Sequence, residues 1–194
     1  MIETKKIIQA ISYLLNTFSK PIDKIAVVKY IYLSDKYHLM KYGRTITEDM
    51  YVAMERGPVG STVLNVLDLD AFNLSEDELS YAQKYLKKHA NTIISKNGSA
   101  ARYDMLSETD KKVIKLIHEK FGSMDKWSLV DYTHKFPEWK KHEYLFKHGK
   151  SRREIINIEE MLSTDKIFDC SEEHLDEVRE IIKQRKCYYW AESN

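Results

Sequence analysis

The sequence predicts a mainly helical α+β fold: a compact helical domain carrying a small antiparallel sheet of two or three strands. Three observations predict it. Glycine (six) and proline (three) are scarce in 194 residues, while Lys, Glu, Leu and Ile are abundant, a bias that suits helices more than sandwiches or barrels. Apolar residues recur at three- and four-residue spacing along several long segments. Short β-prone runs interrupt those segments near residues 51–55 and 92–105.

Taken in order, Ile7, Ile8, Ile11, Leu14, Leu15 and Phe18 mark a first helix over about residues 3–19. Pro21 interrupts it and opens a second helix, since proline suits a first turn. That helix runs to Tyr42, where Gly43 suits a left-handed cap. Ile25, Val28, Tyr32 and Leu39 lie on one of its faces and Val27, Ile31 and His38 on another, the pattern of a central, buried helix. Residues 44–50 form a polar connection, Tyr51–Glu55 a strand, and Gly57-Pro58 a tight turn into a short helix over 59–68. Ser75 with Glu78 forms a capping box for a helix reaching about Lys88. Thr92–Ser95 and Ala101–Met105 read as a hairpin about Asn97-Gly98, joined to residues 51–55 in one sheet. Ser107 with Asp110 precedes a helix whose stripe is Val113, Ile114, Ile117 and Phe121, and Gly122 stops it. Residues 126–135 make a short helix before Pro137, residues 142–153 a basic loop, and Ile155 to Leu162 a short helix. Ser171 caps a last helix with Leu175, Val178, Ile181 and Ile182 as its buried face. The expected division is a domain over residues 1–168 and a helical extension over 169–194.

Charge is balanced, with 31 basic and 30 acidic residues and a net charge of +1. That excludes the phosphate affinity of a basic domain and disfavours nucleic acid as a partner. No stretch is long and apolar enough to span a bilayer, and no signal peptide precedes the first helix. Two cysteines, Cys170 and Cys187, fit reduced thiols in a cytoplasmic protein.

Local catalytic signatures are missing. The chain has no phosphate-binding loop of the Walker type, no G-x-G-x-x-G, no H-E-x-x-H and no G-x-S-x-G. Without a C-x-x-C pair a zinc ribbon is excluded, and Cys170 with His174 gives too few ligands. Asp35 and His38, at i and i+3, meet on one helix face. They could do acid–base work, but no nucleophile accompanies them, and a local bond fixing the helix to its loop explains them better. Arg44 is expected to pin the loop through Asp35, Glu48 or Asp49. Gly57, Pro58 and Gly60 resemble a phosphate turn, yet Pro58 removes a donor and no Lys-Ser/Thr follows. No catalytic, cofactor-binding or metal-binding residue is therefore assigned. The central tyrosines and nearby arginines favour a protein partner.

Residues 28–67 carry a longer pattern, K-x-x-Y-L-x-D-x-x-H-L-x-x-Y-G-R followed by D-x-Y-V-A-M-x-x-G-P-V. It is made by Lys29, Tyr32, Leu33, Asp35, His38, Leu39, Tyr42, Gly43 and Arg44, then Asp49, Tyr51, Val52, Ala53, Met54, Gly57, Pro58 and Val59. Thr133, His134, Pro137 and Trp139 form a later landmark, with Glu138 separating the last two. This pattern resembles the Panacea domain family of SocA-like antitoxins over roughly residues 5–165. The resemblance implies a mainly helical domain with a small sheet and no enzymatic activity. It implies a protein that neutralises a cognate toxin, encoded by an adjacent gene in a bacterial or phage toxin–antitoxin pair, by direct contact. The chain starts almost at this domain, so no separate DNA-binding domain is expected.

On that reading Asp35, His38, Gly43, Arg44, Gly57, Pro58, Thr133, His134 and Trp139 are structural. Partner binding falls to variable surfaces: Tyr144, Phe146, Arg152 and Arg153, and Arg179, Arg185, Tyr188, Tyr189 and Trp190. A homodimer or a toxin–antitoxin hetero-oligomer is expected. The alternatives are an adaptor delivering the toxin to a protease, and an enzyme using Asp35, His38 and Arg44.

Overall fold

A computed structural model describes residues 2–96, 98, 101–162, 168 and 170–192, the side chains of 2, 3 and 185–192 excepted. Helix α1 (Ile2–Leu15) leads through a two-residue strand β1 (Ile22–Asp23) into α2 (Lys24–Tyr42). Asp23, not Pro21, starts α2: its side chain accepts the Ile25 amide hydrogen at 2.9 Å. Gly43 ends it as expected, with φ +69° and its amide donating to the Leu39 carbonyl. Leucine, valine and tyrosine side chains are buried around most of α2's circumference. The helix is the axis of the domain, packed by α1, α3 (Ser61–Asp68), α5 (Glu108–Phe121), α6 (Lys126–Thr133) and α9 (Glu172–Glu192).

Two separate three-stranded antiparallel sheets flank this axis, instead of one sheet joining all the strands. The first has the order β3 (Gly57–Gly60), β2 (Tyr51–Met54), β6 (Arg153–Ile155). Gly57-Pro58 is thus not a turn but the start of a strand, with Met54 opposite Gly57 and Ala53 opposite Pro58. The turn is Glu55-Arg56, and Gly57 follows it at φ +99°, where a side chain would be strained. β3 lies at the sheet's edge, where a residue without an amide hydrogen is tolerated.

The second sheet has the order β1, β5 (Thr92–Ser95), β4 (Leu86–His89). Here α4 (Glu76–Tyr85) ends earlier than its apolar stripe suggests, and Leu86–His89 turns into a strand. The hairpin therefore closes through Ala90, in the left-handed region at φ +51°, and Asn91. Residues 101–105 form no strand, and Asn97 lies outside the described residues.

Both capping boxes, Ser75–Glu78 and Ser107–Asp110, are formed. The stripe of α5 is buried as read, and Gly122 caps it in the right-handed region. Residues 142–153 are not a loop throughout. They contain α8 (Glu143–Lys147) after the one-turn α7 (Pro137–Lys140), and then open β6. Of the helix expected over Ile155–Leu162 only a 3-10 turn, Ile158–Met161, is found. Leu175, Val178 and Ile182 seat α9 against the core, while Ile181 is 40% exposed and covers Gly43, its Cγ2 3.1 Å from where a glycine Cβ would stand.

Candidate functional site

The C-terminal half of α2 is a closed polar lock. Asp35 is buried, and its Oδ1 accepts the amide hydrogens of Ile46 (2.8 Å) and Thr47 (2.9 Å) while Oδ2 accepts the Thr47 hydroxyl (2.5 Å). The carboxylate thereby satisfies a loop with no backbone partner of its own. Burial pushes its pKa up to about 6, against the pull of the Thr47 and Ile46 bonds. His38 does not meet Asp35. Its Nδ1 donates to the Arg44 carbonyl at 2.8 Å, and its Nε2 lies 3.1 Å from Asp110 Oδ1 and 3.2 Å from Thr109 Oγ1.

Arg44 also turns away from the acids nearest in sequence. It donates to Asp110 Oδ1 (2.8 Å), Ser107 Oγ (3.1 Å) and the Thr45 carbonyl (3.2 Å). Asp110 is the hub, closing the α5 capping box while facing His38, Arg44 and Lys6, the last at 3.6 Å. Burial alone would raise its pKa. The His38 and Ser107 bonds, Lys6 and Arg44 outweigh that and hold the carboxyl well below the usual carboxylate range.

A second buried pair sits beside the lock. Lys36 and Glu138 are fully buried, with Nζ 2.7 Å from Oε1. Tyr32 donates to the same oxygen at 2.8 Å, and Lys36 also donates to the Met161 carbonyl at 2.8 Å and lies 4.5 Å over the Phe136 ring. Sequence reading missed Lys36, Glu138 and Asp110 as paired residues. The available signal was two lysines, Lys29 and Lys36, on a helix otherwise apolar on several faces.

The N-terminal half of α2 is open instead. A groove of about 710 Å³ runs between its first turns, the β2–β3 hairpin, α3 and the segment after α8. Lys29 is buried at this groove and donates to the Pro58 carbonyl at 2.8 Å. Burial pulls its amine well below the ordinary lysine range. Gly57 makes room for it: a Cβ would fall 2.7 Å from Lys29 Nζ and 2.8 Å from Thr133 Oγ1.

Thr133 donates to the Val130 carbonyl at 3.0 Å. His134 stacks on Trp139 at 3.6 Å and 4°, and Trp139 Nε1 donates to the Met54 carbonyl at 2.8 Å. Burial, then the Lys29 charge, lowers the His134 pKa. Its Nε2 is buried and has no hydrogen-bond partner among the described residues. These residues border a smaller recess of about 140 Å³ that shares Glu55 and Phe146 with the main groove.

The residues expected to bind a partner are scattered over the chain. Phe146 and Arg152 line the groove, with Phe146 stacked 6.0 Å from Trp139. Tyr144 is 56% exposed and carries Lys150 4.6 Å over its ring, while Arg153 on β6 donates to Ser61 Oγ at 2.6 Å. Arg179 is engaged by Asp176, Glu172 and the Leu162 carbonyl. The side chains of Arg185, Tyr188, Tyr189 and Trp190 lie outside the described residues.

Among the described residues no group of three or more His, Cys, Asp or Glu side chains is placed to hold a metal ion. No described helix is long and apolar enough to cross a membrane. The fold and its lock define a small, mainly helical domain whose signature polar residues are spent on internal bonds. The chain belongs to the antitoxin SocA-like, Panacea domain family, whose model matches residues 27–140. That span is narrower than the 5–165 expected from the motif. It leaves out α1 and everything after α7. No curated protein and no solved structure matches the chain.

Proposed function

We propose that this protein is an antitoxin that neutralises a cognate toxin, encoded beside it, by direct protein–protein contact in the cytoplasm and without catalysis. The observation that carries the reading is family membership over residues 27–140 combined with the fate of the motif's polar groups. Asp35, His38 and Arg44 are each committed to internal bonds. No acid–base pair among them faces open space, which supports a non-catalytic reading.

Partner choice then draws on surfaces outside the matched span, Tyr144, Phe146, Arg152 and Arg153, with the C-terminal helical extension over residues 169–194. Aromatic and arginine anchors are the residue types that dominate protein interfaces. Neutralisation works by covering the toxin's active surface, in a hetero-oligomer.

The test is co-expression with the product of the adjacent reading frame. Growth arrest by that product alone, rescue by this protein, and a co-purifying complex are the expected results. A toxic neighbour that is neither bound nor relieved would sink the reading. Toxin that disappears in protease-proficient cells and persists in protease-deficient ones would replace occlusion by proteolytic delivery.

A further inference from the structure

The groove at the N-terminal half of α2 has a charge imbalance that the fold does not use. Four basic side chains line it, Lys24, Lys29, Arg56 and Arg152, against two acidic ones, Glu55 and Asp68. Asp68 is occupied by Lys24 at 2.7 Å and Lys88 at 3.1 Å. Arg56 and Arg152 are exposed and make no ion pair among the described residues; Arg56 lies 5.9 Å over the Trp127 ring.

Lys29 is the unusual member. It is 1% exposed, and its acceptor among the described residues is a neutral carbonyl. An ammonium carries three donors, and a buried cation without a counter-charge is costly. Gly57, which also lines the groove, has no side chain to cover this amine; a Cβ there would fall 2.7 Å from Nζ. The remaining walls are mostly apolar, from Ile25, Val28, Val59, Leu64 and Phe146, with Ser151 among them. A volume of about 710 Å³ is that of a site enclosing a few side chains.

We propose that the groove receives an acidic, apolar-flanked segment of the toxin, its carboxylate taken up by Lys29, Arg56 and Arg152 and its apolar side chains by the walls. The proposal rests on the antitoxin reading, which supplies the partner, and adds the surface and the chemistry of contact. A carboxylate fits better than a phosphate. The turn here leads into a strand whose second residue is proline, so no run of amide donors cradles a phosphate. The arriving carboxylate gives Lys29 the counter-charge it lacks, reversing the effect of burial on its amine.

The test compares wild type, Arg56→Glu/Arg152→Glu and the control Lys112→Glu/Lys115→Glu on the α5 face. Calorimetric titration with the adjacent-gene toxin, at low and high salt, gives Kd. Hydrogen exchange of the complex maps the contact. Both mutated pairs are exposed, so melting temperatures are expected to match wild type.

The groove pair is expected to bind at least about 30-fold more weakly, with the control within about twofold. Wild-type binding is expected to weaken with salt, and residues 24–29, 54–59 and 149–152 to gain protection in the complex. Wild-type affinity in the Arg56→Glu/Arg152→Glu variant, with protection on another face, overturns the groove and leaves the antitoxin reading intact. Absence of any complex with the wild-type protein overturns both. Groove protection that grows with this protein's own concentration, without toxin, assigns the groove to a second copy and overturns the proposal.

Discussion

Lys29 and Lys36 stand about two helical turns apart on α2, both buried, and they differ in what faces them. Lys36 meets Glu138, a backbone carbonyl and an aromatic ring inside the core. Lys29 meets one carbonyl and borders a groove. The same contrast separates the two ends of the helix. The Asp35–His38–Arg44–Asp110 end is closed on itself, and the Lys29–Gly57–His134 end is partly unsatisfied. The fold brings Lys36 its counter-charge, and on the groove proposal Lys29 receives one from a partner.

The largest break in this contrast comes from Lys36→Met. It strands the Glu138 carboxylate in the core and is expected to cost about 4 kcal/mol, read from urea unfolding. The double change Lys36→Met/Glu138→Leu is expected to recover most of that loss. Next comes Asp35→Ala, which orphans two buried amides and a hydroxyl and should cost about 3 kcal/mol. Circular dichroism melts would register it. Survival of full stability would mean that the loop over residues 45–47 does not depend on the lock.

The two acids of the lock also predict opposite pH responses. Asp35, raised to about 6 by burial, binds its proton more tightly folded than unfolded. Its contribution therefore falls as pH rises from about 4 to about 6, by roughly 2–3 kcal/mol. Asp110 is held below the ordinary range, so its contribution is present above the unfolded carboxyl value and is lost as pH falls through the folded one. Asp35→Asn should remove the first slope and Asp110→Asn the second. Unfolding free energies at several pH values separate them, and identical profiles for the two variants would contradict the assignment.

Gly57→Ala tests the open end. Its φ of +99° and the closeness of Lys29 and Thr133 predict a loss of about 2 kcal/mol, measurable by chemical denaturation. The smallest effect on stability is expected from Arg152→Glu, within about 0.5 kcal/mol. A large destabilisation there would show that the groove's rim belongs to the closed, structural class after all.

Much of the frame was legible because its signals are local. Gly43 ends α2 by adopting φ +69°, and Ser75–Glu78 and Ser107–Asp110 start their helices with side chains three residues apart. The strand at Tyr51 follows its residue types. Where two local signals competed, the sequence misled. Asn97-Gly98 is the stronger turn dipeptide, yet Leu86–His89, helix-prone by composition, pairs with Thr92–Ser95 because burial of Leu86 and Ile93 favours that register. Gly57-Pro58 looks like a turn because proline is rare in strands; an edge position made the exception.

The candidate site was half legible. The motif marked Asp35, His38 and Arg44 as a group, but not the acid that joins two of them. Asp110 read as a capping residue, and its second face appears only when α5 packs on α2. Tyr144, Phe146, Arg152 and Arg153 were singled out by residue type, and the fold sets two of the four at the groove.

By itself the sequence determined most of the long helices, the caps at Gly43, Ser75 and Ser107, and the list of polar residues that had to be accounted for. These follow from backbone preferences and spacing over a few residues, which act before the chain has folded. Tertiary structure alone decided which strands pair, that Glu138 reaches Lys36 from the other half of the chain, and that no carboxylate among the described residues reaches Lys29 in the same way. Pairings of that kind depend on which elements come to share an interior, and spacing along the chain carries no record of it.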